Sequence, residues 1–189
     1  MNPQSADITE TRGAIQAALK NHEALSRERS DLLKLQQTLT VSVAERTRSS
    51  SLTDAKAVRD LGDDRTRLGM VPDKIAHLDT QLAESLECIE AALGPVRVLL
   101  AHRTGEITQA AEKEIRDFLE ARVSNRHSFA AHCEQAIGPI VSTFDVVARA
   151  EADEGRISPM NIRLARDQSN LARLAREAID ILERTPVQA

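Results

Sequence analysis

Residues 75–100 read IAHLDTQLAESLECIEAALGPVRVLL. Their apolar side chains recur at Ile75, Leu78, Leu82, Leu86, Ile89, Leu93, Val96 and Leu100, always three or four positions apart. A helix turns once in about 3.6 residues, so this spacing gathers them on one face, whereas a half-buried strand would repeat every two. No other stretch carries so regular a signal. Strand-like alternation is nearly absent from the rest, where Ala, Leu, Glu, Arg and Gln dominate between a few breaks. The chain therefore reads as all-α.

Upstream, residues 7–48 contain no proline and a single glycine, Gly13. A continuous helix over this segment would extend roughly 60 Å. Its inward stripe passes through Ile8, Ile15, Ala18, Leu25, Leu32, Leu39 and Val43, with His22, Arg29 and Gln36 as polar layers. Polar groups at such positions lower stability but fix register, because a shifted alignment buries them unpaired. Leu19, Leu33 and Leu35 fall off that stripe. Ser49-Ser50-Ser51 breaks the pattern, and Ser51 with Asp54 resembles a capping box opening a short helix over about 52–69. Gly69 should close it and Pro72-Asp73 should start the next. The expected result is a long, antiparallel, coiled-coil-like helical hairpin over residues 1–93, with the short helix at its tip.

Downstream, residues 94–189 read as a small helical bundle whose helices begin near Glu106, near Ser128 and at Pro159. Their inner faces run through Ile107, Ala111, Ile115, Phe118 and Leu119, then Phe129, Cys133, Ile137, Ile140, Phe144 and Val147, then Leu164, Leu171, Leu174, Ala178, Ile181 and Leu182. Ser158-Pro159 combines an N-cap with proline at the first helical position. Ala92-Leu93-Gly94-Pro95-Val96 is echoed by Ala136-Ile137-Gly138-Pro139-Ile140. Each proline lacks a backbone donor and crowds the carbonyl four residues back, so Gly-Pro-kinked helices are expected in the bundle.

Composition narrows the function classes. Apolar residues make up 41% of the 189, but aromatics only 2%, with three Phe and neither Trp nor Tyr. A core of Leu, Ile, Val and Ala suits narrow helix seams. The formal net charge of -4, with both signs interspersed, gives no general attraction to nucleic acid or anionic lipid. No run approaches the ~20 apolar residues of a membrane span, and the opening residues lack a signal-peptide pattern. Cys88 and Cys133 sit among apolar residues and read as reduced core thiols.

No catalytic, cofactor or metal signature emerges. His127, His132, Cys133 and Glu134 are the densest group of potential ligands, yet histidines five apart point away from each other on a helix. Asp60, Asp63 and Asp64 around Gly62 lack the ligand spacing of a calcium loop and read as a solvated helix end. Glu112, Glu114, Asp117 and Glu120 form an acidic face without the Glu-x-x-His partner of carboxylate-metal bundles. Phosphate-cradling and nucleophile-elbow motifs are missing.

These features point to a non-enzymatic structural or adaptor protein acting through helix–helix association, with a protein partner or its own copies as a homo-oligomer. Subunits of phage particles and bacterial multi-protein complexes commonly have such bodies, which sets the expected location as cytoplasm or virion. The expected interaction surface comprises Leu19, Leu25, Leu32, Leu33, Leu35 and Leu39, together with Arg163, Arg166, Arg173 and Arg176 on the last helix. That Arg strip defines the alternative, a regulatory or nucleic-acid-associated protein. Internal salt bridges to the acidic segment 112–120 explain it better in a chain with negative net charge and no aromatic stacking platform.

Overall fold

A computed structural model describes residues 3–49, 54–123, 129–167 and 169–184, with side chains over 8–49, 54–118, 120, 140–166 and 169–184. It contains α1 (Pro3–Ser49), α2 (Ala55–Val123), α3 (Phe129–Arg156), α4 (Pro159–Asp167) and α5 (Leu171–Arg184). No strand occurs among the described residues, and the fold is all-α as the periodicity requires. The chain divides into two compact units, Gln16–Ile89, and Met1–Ile15 with Glu90–Ala189.

Within Gln16–Ile89, His22 meets Ser85, Arg29 meets Asp79, Ser42 meets Asp64 and Thr47 meets Arg65. From His22 through Arg29 to Ser42 the partner numbers fall as the α1 numbers rise, so the pair is an antiparallel hairpin. Buried or half-buried positions on α1 include Ala18, His22, Leu25, Arg29, Leu32, Gln36, Leu39, Val43 and Arg46. On α2 they include Ala57, Leu61, Asp64, Leu68, Val71, Ile75, Leu78, Leu82, Ser85 and Ile89. Both series step alternately by three and four, the spacing that keeps one seam facing a neighbouring helix. Ser85, not Leu86, holds the inward position: Ser85 is buried and Leu86 is half-buried. Beyond Ile89 the next buried position is Leu93, so two steps of four follow one another where the first unit gives way to the second. Such an insertion locally unwinds a heptad seam.

The hairpin departs from expectation at its tip. Asp54 caps α2: its Oδ1 accepts from the backbone N–H of Lys56 at 3.0 Å and of Ala57 at 3.2 Å, and its carbonyl accepts from Val58 at 3.0 Å. The expected cap, Ser51, lies outside the described residues. No separate helix occupies 52–69, because α2 continues through Gly69, Pro72 and Gly105 without a break. Glycine costs a helix about 1 kcal/mol and interior proline about 3 kcal/mol. Seam residues on either side of the first two, Leu68 and Ile75 half-buried and Val71 buried between them, hold the helix together across those local penalties. The same continuity removes the expected helix start near Glu106. The division into units likewise differs from a single boundary at 93/94, since the opening turns of α1 belong with the C-terminal half.

In the second unit, α2 and α3 run antiparallel, tied by Thr104 donating to the Ala150 carbonyl at 3.4 Å and Thr143 donating to Glu114 at 3.2 Å. Leu93, Val96 and Leu100 are buried, as are Ile15, Ile157 and Ile162. α5 is the most one-sided helix and buries Leu171, Leu174, Ala175, Ala178, Ile181 and Leu182. The expected proline start is present: Ser158 Oγ accepts from Asn161 N–H at 3.3 Å, and Ile162 N–H bonds the Ser158 carbonyl. Buried Ile157 and Ile162 occupy the two positions of a hydrophobic staple across that cap. Asn161 Nδ2 donates backwards to the Gly155 and Arg156 carbonyls, at 2.7 and 3.3 Å, satisfying the end of α3.

One long final helix was expected, and two are found. Asn170 N–H reaches the Ala165 carbonyl at 2.6 Å and Ser169 N–H the Arg166 carbonyl at 3.1 Å, the paired bonds of a Schellman C-cap. Ser169 takes the left-handed conformation, φ 56°, and Asn170 then starts α5 by accepting from Arg173 and Leu174. Three inner-face assignments also fail. Phe144 is 58% exposed and Leu164 41%, and Cys88 is exposed rather than a core thiol. Cys133 lies outside the described side chains.

Candidate interaction surfaces

The six leucines singled out from the sequence separate into three environments. Leu19 and Leu39 are buried, at 8% and 7% exposure, which corrects the placement of Leu19 on an open flank. Leu25 and Leu32 are half-buried in the seam. Leu33 and Leu35 are 40% and 44% exposed. At 100° per residue they stand on opposite flanks of a stripe centred on Leu32 and Gln36, so two faces of α1 carry an open leucine.

Between those flanks the polar layers are paired. Ser85 Oγ donates its one proton to the Leu82 carbonyl at 2.7 Å, so across the 2.8 Å contact with His22 Nδ1 it accepts. His22 therefore presents Nδ1–H to Ser85. Arg29 forms a charge-assisted bond with Asp79. The hydrogen bond and charge of Asp79 raise the Arg29 pKa above the ordinary guanidinium value. A raised folded value for a base stabilises below the unfolded pKa and is lost as pH climbs through the folded one, so on the arginine side this contribution persists until strong alkali. Near the tip, Arg46 reaches Asp64 at 3.4 Å and Asp60 at 4.0 Å, and Ser42 donates to Asp64 at 3.0 Å. Asp60 and Asp64 are thus cross-helix partners within α2, not a solvated helix end.

The Arg strip is not a strip on one helix. Arg163 and Arg166 belong to α4, and Arg173 and Arg176 to α5, with the Ser169 turn between them. Arg166 pairs with Glu90 at 3.0 Å and Arg173 with Glu177 at 3.0 Å. In the acidic segment 112–120, Glu114 accepts from Thr143.

A surface that sequence reading passed over lies in the second unit. Arg97, Val98, Ala101 and His102 on α2 face Glu151, Glu154 and Gly155 on α3 and Ser158-Pro159 across an open groove of about 640 Å³. Val98 is 63% exposed. Along α3 the exposed positions Val141, Phe144, Ala148, Ala152 and Gly155 recur at helical spacing, opposite the half-buried Thr143, Val147, Ala150 and Glu154. α3 therefore has a second apolar stripe, legible from the same three-and-four rule but masked by assigning Phe144 inward.

Among the described residues no group of three or more His, Cys, Asp or Glu side chains is placed to share a metal ion, and no helix is long and apolar enough to cross a membrane. The side chains of His127, His132, Cys133 and Glu134 lie outside that set. No protein family, curated protein or solved structure matches this chain.

Proposed function

We propose that this chain is a non-enzymatic structural or adaptor protein that works through helix–helix association, as a subunit of a larger protein assembly. The observation that carries the reading is the pair Leu33 and Leu35, open on opposite flanks of a helix whose seam is already occupied by α2. Apolar side chains on both flanks of a paired helix are suited to packing against further helices. Paired polar layers at His22 and Arg29 support it too, because they fix one register and so present those flanks in one geometry.

The test is a full-length Leu33→Glu, Leu35→Glu variant compared with the wild type by light scattering on a sizing column and by affinity capture from the native source. Loss of a specific captured partner, or of association beyond a dimer, with helicity and unfolding midpoint unchanged, is the expected outcome. Identical mass and identical captured proteins for both would overturn the reading.

The alternative, nucleic-acid association through Arg163, Arg166, Arg173 and Arg176, has less to stand on. Arg166 and Arg173 already face carboxylates, and polyanion binding would first have to displace them.

A further inference from the structure

We infer that the groove between α2 and α3 is a self-association surface, occupied by the same groove of a second copy. The inference deepens the helix-association reading and rests on it for the kind of partner, but it concerns residues outside the leucine flanks.

The floor is apolar and built for close approach. Val98, Ala101 and Gly155 line it, and Gly155 also ends the exposed α3 stripe that runs back through Ala152 and Ala148 to Phe144. Small side chains let a facing helix come near, and Val98 and Phe144, each more than half exposed, supply the large apolar contacts. The walls carry opposite charge. Arg97 stands on the α2 side, and Glu151 and Glu154 on the α3 side. Among the described residues no ion pair joins Arg97 to either carboxylate.

This arrangement is complementary to itself. A two-fold axis through the groove sets α2 of one copy against α3 of the other. Arg97 of each copy then meets Glu151 and Glu154 of its mate, twice over, while the apolar floors close into a four-helix core. A partner of uniform charge, acidic or basic, would be repelled by one wall.

Charge reversal on the full chain tests this. Arg97→Glu alone, and Glu151→Arg with Glu154→Arg alone, each place like charges across the axis and should weaken the dimer by at least about tenfold. An equimolar mixture of the two proteins restores both sets of opposite charges and should recover the dimer, read by sedimentation velocity, with circular dichroism confirming that each variant is folded. A monomeric wild type, a dimer that survives both variants, or a mixture that stays monomeric would each sink the inference. The Leu33→Glu, Leu35→Glu protein should remain dimeric. If it alone falls to monomer, assembly runs through the hairpin flanks, and that reading stands while this one fails.

Discussion

Ser169 occupies a backbone conformation that residues with a Cβ adopt at a cost. Its φ of 56° is set by the two carbonyl bonds that end α4, and glycine is the residue that takes this position without strain. Ser169→Gly should therefore raise stability by up to about 1 kcal/mol, while the β-branched Ser169→Val should lower it by at least as much; urea unfolding of the three proteins reads both. Asp54 works in the opposite sense. It satisfies two otherwise orphaned donors at the start of α2, and Asp54→Ala should cost about 1 kcal/mol, with Asp54→Asn close to wild type. Ser85 shows how a small polar residue can hold a seam position better than a neighbouring leucine. Its hydroxyl bridges His22 and the Leu82 carbonyl, and no apolar side chain would satisfy His22 there.

At the scale of the element, α2 is the telling case. It runs 69 residues through several positions that local propensity marks as stops. Gly62 and Gly69 lie within it, exposed, and a Cβ added at either meets nothing within 4 Å. Gly62→Ala and Gly69→Ala should each stabilise the hairpin by about 0.5–1 kcal/mol, additively, since they are seven residues apart and share no partner. Thermal unfolding of the singles and the double decides it; a destabilised double would mean that the glycines serve a contact with another chain or a bend the helix needs. The last helix shows the converse. Ser169-Asn170 carries neither Gly nor Pro, yet the chain turns there, because the bonds from Ser169 and Asn170 back to α4 and from Arg173 and Leu174 to the Asn170 carbonyl satisfy the backbone through the turn.

For the whole molecule, the separation between residues that hold it together and residues it offers outward is testable by two truncations. Leu171 is fully buried, and Leu171→Ala should cost about 2–5 kcal/mol in equilibrium unfolding. Leu35→Ala should stay within about 0.5 kcal/mol and show its effect in association instead. A large stability loss at Leu35 would place it in a core and remove it from any interaction surface. The all-α class, the antiparallel hairpin, the α5 stripe and the Ser158-Pro159 start were all legible in the sequence, because three-and-four spacing and capping are properties of a single helix and need no knowledge of its neighbours. Of the candidate surface, Leu33 and Leu35 were legible for the same reason, and Leu19 was not. What tertiary structure alone decided was which of two apolar faces turns inward, as at Ser85 and Phe144, whether Gly69 and Pro72 end a helix, and which acid each arginine meets. Those outcomes depend on side chains brought together from distant parts of the chain, whose packing outweighs a local preference of a few kcal/mol.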